Sequence, residues 1–324
     1  MDTQTEMDSV RLESSPCPLG CKGGDSILLT GSDRLNHFPG TYNVVRCIDC
    51  GLMRTNPRPT PETMGLYYPD HYGPYRGTRV NPDSKDNGPL SFLRKWVKGI
   101  FPFNTTRLPR LQPSRLLEIG CASGAFLNKM SHKGWEVEGL EFSKTAAQSA
   151  RSLGYPVHTG SLETAPDPEH SYDLVVGWMV LEHLHDPVSA LQKLHRWVDP
   201  NGWLVLSVPN AGSMEFNIFK DRWYALHLPN HLYHYTSDSL SRICEAGGWK
   251  IVRIFHHRTL TNLIASTGYW LQDHGMLPRL SHKLVALPES SRGLFNYFFY
   301  VPACLLSIFG QTGRMTVWAR KIND

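Results

Sequence analysis

Several features are missing from this chain of 324 residues, and each absence removes a class of protein. No apolar run is long enough to span a bilayer. The closest, LFNYFFYVPACLLSIFG at 294–310, is interrupted by Asn296 and Pro302. It reads as a buried or interfacial helix pair, with peripheral membrane contact as the lesser alternative. The opening MDTQTEMDSVRLESS is acidic and polar with no apolar core, which sets aside a signal or transit peptide and predicts a disordered tail over 1–15. There is no long Lys/Arg run, and a formal charge of +4 is too mild to argue for a nucleic-acid partner. No internal repeat is visible. Hydrophobic residues at 41% against 19% charged exclude intrinsic disorder. The expected location is cytoplasmic, with 294–310 as the segment that would touch a membrane from one side.

Cysteine is sparse except at one end: four of the seven lie before residue 51. They form two pairs, Cys17-x3-Cys21 and Cys47-x2-Cys50, with 25 residues between the pairs. In a chain without a secretory signal this clustering points to a metal site more than to disulfides. RCIDCGLM has the form of a zinc knuckle, with Gly51 directly after the turn; SPCPLGC is one residue longer than the usual spacing. Structural Zn²⁺ is the leading reading, with free buried thiols and redox pairing as alternatives, and His37 is a spare ligand. A tetrathiolate site is closed, so the metal would fold the segment and not catalyse.

Three zones follow one another. Residues 16–60 are turn-rich and hold the cysteines. Residues 61–112 form a connector rich in Tyr, Pro and Gly, with a helix expected at 91–101. From Ser114 apolar strands alternate with helices: strands at 115–120, 135–142, 155–160, 172–179, 202–209 and 249–257, and helices at 124–134, 143–154, 187–198 and 236–248. Ser143 and Thr236 are placed as N-caps. Such alternation predicts an α/β fold, a Rossmann-like doubly wound parallel sheet. MTVWARK at 315–321 reads as one more strand, after an insertion at about 258–312.

LLEIGCASGAF (116–126) ends the first of these strands and opens its helix. Gly120 and Gly124 let the backbone turn sharply beside a helix N-terminus, but the loop lacks the Lys of a P-loop and the six-residue glycine fingerprint. Glu118 precedes the loop. Glu141 closes the second strand about twenty residues on, where a carboxylate accepts both hydroxyls of a ribose. A ligand with a cationic amino-acid end and a ribose suits both carboxylates.

E-x-G-x-x-x-G followed by V-x-G-x-E-x-S resembles the signature of class I S-adenosylmethionine-dependent methyltransferases. YDLVVGWMVLEHLHDP (172–187) and DPNGWLVLSVPN (199–210) resemble their fourth and fifth strands. The resemblance covers roughly 112–257 and implies a seven-stranded sheet with an antiparallel last strand, MTVWARK. It further implies that Glu118, Gly120, Cys121, Ala122, Ser123 and Gly124 line the methionine end of S-adenosylmethionine. Glu141 would hold the ribose, with Phe142 and Ser143 beside it; Ser161 and Leu162 would flank the adenine, and Trp178 and Met179 would close the site. The family often has Asp where Ser161 stands, which leaves the adenine amino contact to Ser161 or to backbone. The cysteine segment and NPRPT (56–60) are similar to the amino-terminal zinc-ribbon-like element of a subgroup, including sugar C-methyltransferases.

Methyl transfer asks the protein mainly to align the acceptor and exclude water, and a base helps when the acceptor is a hydroxyl. His183 follows the fourth strand at the carboxyl edge of the sheet and resembles the Glu-His pair of ubiquinone-type O-methyltransferases, where the region serves acid–base or metal-assisted roles; a loop-holding role is equally open. DRWYALHLPNHLYHYT (221–236) brings His227 and His231 over the same edge, with Pro229-Asn230 interrupting a continuous helix. They are read as acceptor-site base or hydrogen-bond partners, with direct metal ligation as the lesser reading. His234 is partly structural. The acceptor site would be built by 61–88, this stretch and the 258–312 insertion. The acceptor expected is a small molecule, sugar or lipid-linked body, methylated first at a hydroxyl; C-methylation of an activated sugar is the alternative and nucleic acid is disfavoured.

Overall fold

The computed structural model describes residues 10–68, 99–104, 106–288 and 295–322. The helix expected at 91–101 lies outside the described residues except for its end. The chain begins with five strands, β1 (Leu12–Glu13), β2 (Asp25–Gly31), β3 (Tyr42–Cys47), β4 (Met53–Thr55) and β5 (Arg58–Pro59), and one helical turn, α1 (Pro61–Met64). The alternating part follows as β6 (Arg115–Ile119), α2 (Ala125–Ser131), β7 (Glu136–Glu141), α3 (Lys144–Ser152), β8 (Val157–Thr159), β9 (Tyr172–Trp178), α4 (Pro187–Trp197) and β10 (Val198–Pro209). Then come α5 (Met214–Phe219), β11 (Tyr233–His234), α6 (Ser237–Ala246) and β12 (Trp249–His256). The insertion supplies α7 (Thr261–Asp273), α8 (Pro278–Val285), α9 (Phe295–Phe298) and α10 (Tyr300–Ile308), and β13 (Arg314–Lys321) closes the fold.

The main sheet has seven strands in the order β12-β13-β10-β9-β6-β7-β8. β13 runs antiparallel to β10 and β12, while β6, β7, β8, β9 and β10 pair in parallel. The expected doubly wound sheet with an antiparallel last strand is therefore present. Its central strands are buried on both faces, which is why they read as unbroken apolar runs: Leu174, Val175, Val176, Leu204 and Val205 have no exposed surface. Burial of each such side chain stabilises by about 1.5–3 kcal/mol. Helices start where short polar residues satisfy their first amides. Ser143 accepts from Ala146 N at 3.3 Å and Asp186 from Ser189 N at 3.0 Å. Strand order reverses between β6 and β9, so a crevice opens at the carboxyl ends of these strands.

Two expectations need correction and a third is narrowed. The tail expected to be disordered over 1–15 is structured where it is described: Leu12 and Glu13 pair with Pro59 and Arg58, because Arg58 Nε also reaches Glu13 at 2.8 Å. The cysteine-bearing element is not a separate ribbon, since its sheet has the order β11-β4-β3-β2 and takes β11 from the histidine stretch. The helix pair expected in 294–310 is present as α9 (Phe295–Phe298) and α10 (Tyr300–Ile308), and of its two alternatives burial does not hold: Phe298 is 82% exposed and Ile308 74%, and only Tyr300 and Ala303 of α10 are buried.

Thr236 and Ser239 form a reciprocal capping box on α6, with Ser239 N donating to Thr236 Oγ1 at 3.1 Å and Thr236 N to Ser239 Oγ at 2.9 Å. Thr236→Ala is expected to lower stability by about 1 kcal/mol in chemical denaturation, with no change in denaturant sensitivity.

Candidate active site

The loop between β6 and α2 sets the floor. Gly120 (φ +66°) and Gly124 (φ +83°) occupy left-handed conformations, and a Cβ on Gly124 would lie 2.9 Å from Ala150 Cβ of α3. Close packing of α3 against the loop therefore requires glycine. Between them Ala122 (φ +46°) turns its amide onto Glu141 Oε2 at 2.8 Å, and Ser143 N donates to the other oxygen at 2.8 Å. The Glu141 carboxylate is thus fixed by two main-chain amides and directed at the crevice. Burial nevertheless raises its pKa.

A cavity of about 990 Å³ occupies the crevice, enough for a cofactor and an acceptor together. Of the residues expected from the sequence, its wall includes Gly120, Ala122, Glu141, Phe142, Ser161, Leu162, Trp178, Met179, His183, His227 and His231. Five others stay behind that wall: Glu118, Cys121, Ser123, Gly124 and Ser143. Cys121 packs under the loop, its sulfur where a Cβ on Gly139 would fall, and burial pushes its thiol pKa up. Glu118 is 3% exposed and pairs with neither Arg115, which reaches Glu136 at 3.2 Å, nor Arg151, which donates to Val157 O at 2.7 Å. Burial first, and the Glu141 charge second, raise the Glu118 pKa well above the carboxylate range. Among the described residues its Oε2 finds no hydrogen-bond partner, an orphaned buried acceptor just beneath the glycine loop.

The imidazoles gather at the other end. His183 and His231 rings lie 4.7 Å apart and those of His227 and His231 4.8 Å, all edge to face. Their tautomers follow from carbonyl partners, which only accept. His183 Nδ1 is 2.9 Å from Asn230 O and so carries the proton; the Tyr68 hydroxyl lies 2.8 Å from the same nitrogen. His231 Nδ1 donates to Ala225 O at 2.9 Å. Both Nε2 atoms consequently hold a lone pair, and His227 Nδ1 stands 3.4 Å from that of His231. His234 serves structure: Thr55 Oγ1 donates to His231 O at 2.7 Å, so His234 Nε2 donates to Thr55 Oγ1 at 3.2 Å. His185 Nε2 likewise donates to Pro59 O at 3.0 Å. Burial lowers the pKa of His183 to about 4 and of His227 and His234 to about 3, so these rings are neutral at pH 7. Glu182, fully buried, is pushed the other way to about 8. One of its oxygens lies within 4.8 Å of ring nitrogens of His183 and His231, a set of donors in reach of a single cation.

The sequence expectation missed the part that the amino-terminal element plays in the cavity wall. Ser32, Arg34 and Leu35 line it, as does Arg314, while Tyr68, Tyr224 and Tyr269 come from the connector, the 221–236 stretch and the insertion already expected there. Arg34 forms a bidentate pair with Asp273 of α7 at 2.9 and 3.0 Å, which joins the element to the insertion. Nothing local around Arg34 signals this, because the partners are 239 residues apart.

Away from the cavity, the sulfurs of Cys17, Cys21, Cys47 and Cys50 lie within 4.8 Å of one another. Cys17 Sγ and Cys50 Sγ are 3.6 Å apart, far beyond a disulfide bond and near the separation that tetrahedral coordination at about 2.3 Å requires. Gly20 N donates to Cys17 O and Gly51 N to Cys47 O, so each pair sits in a tight turn ended by a left-handed glycine. The four-thiol set fits a soft dication. His37 is not part of it.

A family model described as a methyltransferase domain matches residues 93–254, half of the chain. The chain belongs to the class I S-adenosylmethionine-dependent methyltransferases. Among this methyltransferase's curated relatives, the ubiquinone biosynthesis O-methyltransferase of Paracidovorax citrulli is 32% identical over 129 residues, covering 37% of this chain and 51% of the relative. A probable S-adenosylmethionine-dependent methyltransferase of Mycolicibacterium smegmatis is 28% identical over 159 residues, covering 47% and 60%. The chain spans about half the length of the curated relatives it matches. A solved S-adenosylmethionine-dependent methyltransferase of Mesorhizobium loti is 17% identical with a TM-score of 0.43, covering 66% of this chain and 94% of that one.

The buried ionisable groups define a stability window. His183, His227, His234 and His257 have folded pKa values of about 3–4, below the unfolded value, so the stability they hold above pH 6.5 is lost as pH falls. Glu182 (about 8) and Glu215 (about 7) are raised above the unfolded value, and their contribution is lost as pH rises from 4.5 through those values. His185, His231 and His256 are lowered in the same direction and Glu118 and Glu141 are raised with the other two carboxyls, so seven imidazoles oppose four carboxyls below pH 6.5 and of these groups only the carboxyls act above it. The melting temperature should therefore peak near pH 6.5, measured by calorimetry between pH 4.5 and 8.5.

Proposed function

We propose that the chain transfers a methyl group from S-adenosylmethionine to a hydroxyl on a small-molecule, sugar or lipid-linked acceptor. One observation carries this reading: a single cavity has the Glu141 carboxylate and the glycine loop at one end and lone-pair imidazole nitrogens at the other. The names of the curated relatives, O-methyltransferases of ubiquinone biosynthesis, support hydroxyl chemistry. Glu141 would take the ribose hydroxyls, the Gly120–Ala122 backbone the methionine end, and Phe142 and Leu162 the adenine. Bound there, the cofactor supplies a methyl on a sulfonium, already electrophilic.

The remaining work belongs to the acceptor end. The Nε2 atom of His231 or His183 accepts the acceptor's hydroxyl proton as its oxygen attacks. A neutral ring is ready for this throughout the physiological range. Carbonyl anchors on both Nδ1 atoms fix which nitrogen faces the cavity. The aromatic wall of Trp178, Tyr224 and Tyr269 excludes water and receives an apolar acceptor body. Structural Zn²⁺ on Cys17, Cys21, Cys47 and Cys50 would secure β3 and β4, and through Thr55 the loop that carries His231.

His231→Ala is expected to lower turnover roughly 10²–10³-fold with cofactor affinity unchanged, while Glu141→Ala weakens cofactor binding at least about tenfold, the loss of one or two charge-assisted hydrogen bonds. Calorimetry and labelled-methyl transfer separate the two. Equal loss of both quantities in His231→Ala would make the loop structural, and turnover that vanishes on mild chelation and returns with a divalent cation would replace the base with a Lewis acid at Glu182, His183 and His231.

Metal analysis should find about one zinc per chain. Cys47→Ser should lower both zinc content and melting temperature. A zinc-free wild type with four freely titrating thiols in the folded state refutes the metal.

A further inference from the structure

More than half of the large apolar side chains exposed among the described residues lie in the insertion between β12 and β13, most of them in two places. On α9 and α10, Phe298 (82% exposed), Val301 (67%), Leu305 (58%), Ile308 (74%) and Phe309 (74%) recur every three or four residues, while Tyr300 and Ala303 face inward. They form one outward stripe. From 294 to 310 there is no charged residue at all, in a chain where such residues make up 19%. At the turn between α7 and α8, Met276, Leu277 and Leu280 are 44–58% exposed. This tip differs in charge: Arg279 and Lys283 stand exposed beside the apolar residues, and no acidic residue occurs between 274 and 288. The nearest acid before it, Asp273, is already paired with Arg34.

A soluble surface seldom leaves this much bulky apolar area in contact with water unless something covers it. We propose that the insertion docks on an anionic lipid surface, with the α10 stripe and the α7–α8 tip entering the headgroup boundary and Arg279 and Lys283 facing the negative charge. No helix among the described residues is long and apolar enough to cross a bilayer, so the docking is from one side. The charge pattern favours lipid over a second copy of this chain. In a two-fold contact through the tip, Arg279 and Lys283 would approach their own images, and among the described residues 274–288 no acid stands beside them to pair them. Basic residues beside exposed apolar ones instead match the electrostatics of an anionic leaflet. Tyr269 of α7 and Pro288 just after α8 also line the cavity, so the α7–α8 part of the docked surface adjoins the proposed acceptor site. That last link rests on the acceptor reading above; the docking itself does not.

Flotation of the full chain with phosphatidylcholine vesicles, with and without phosphatidylglycerol and without cofactor or acceptor, tests the docking apart from catalysis. Binding is expected only with the anionic lipid. Arg279→Gln with Lys283→Gln should weaken it by roughly fivefold per charge. Met276→Glu with Leu280→Glu, and separately Val301→Glu with Ile308→Glu, should weaken it at least about tenfold, since each pair removes two apolar insertions and adds like charge. All these side chains are exposed, so melting temperatures and cofactor binding should stay at the wild-type level. Wild type that floats with neither vesicle overturns the proposal, as do glutamate variants that float undiminished. A dimer in solution that Val301→Glu with Ile308→Glu dissociates, without vesicle binding, assigns the stripe to a second copy instead.

Discussion

Everything at the imidazole end of the cavity depends on the pairing of β4 with β11. Tyr233 and His234 lie opposite Arg54 and Met53, and the ladder extends backwards as Thr55 N donates to Leu232 O at 3.0 Å and Thr55 Oγ1 to His231 O at 2.7 Å. Leu232 N in turn donates to Glu182 O at 2.8 Å, tying the same loop to the segment after β9. The His231 backbone is therefore held on one side by the amino-terminal element and on the other by the main sheet. β4 begins three residues after Cys50, so the thiol cluster, the small sheet and the imidazoles form one mechanical chain. An active-site loop needs such support, because a misplacement of about 1 Å is costly in turnover.

Burial controls the chemistry of that loop. Rings that would be partly charged at pH 6.5 in water are kept neutral here, and the carbonyls of Asn230 and Ala225 determine which nitrogen bears the proton. Desolvation also keeps Glu182 and Glu118 protonated over part of the range in which an exposed carboxylate would be charged. The interior beneath the cavity is thus poor in net charge despite holding two carboxyls and several histidines. Removing one member exposes the others to unpaired polar contacts, which makes these residues a stability risk as well as a functional asset.

Regular elements were legible because their causes are local. The strand β9 is an apolar run bounded by Tyr172 and Trp178, and the caps Ser143 and Thr236 act on residues three positions away. The glycine loop and Glu141 were legible for the same reason: spacing along a βαβ unit places them together. Depth was not legible. Glu118 is only 3% exposed although it shares a strand face with Glu141 through its partner Gly139, and Cys121 turns under the loop because Ala122 and Gly120 take left-handed angles. Nor was the role of the amino-terminal element, since Arg34 meets Asp273, and Thr55 meets His231, across separations that no local pattern encodes.

Three non-glycine residues with positive φ line the cavity: Ala122 (+46°), Met179 (+59°) and His227 (+46°). Each such residue costs on the order of 1–2 kcal/mol and persists only where its surroundings over-determine it. Ala122 is compensated by its amide bond to Glu141, and Met179 by donating to Ser207 O at 2.8 Å, both within the sheet-bearing fold. His227 has no strand to hold it. Its carbonyl accepts from His231 N at 3.0 Å, and that residue is anchored by Thr55. The glycine-loop end of the cavity is accordingly strained and supported by the seven-stranded sheet and its loops. The imidazole end is strained and supported by the amino-terminal element. On the function proposed above, acceptor choice would therefore rest on β4, β11 and the insertion more than on the seven-stranded sheet.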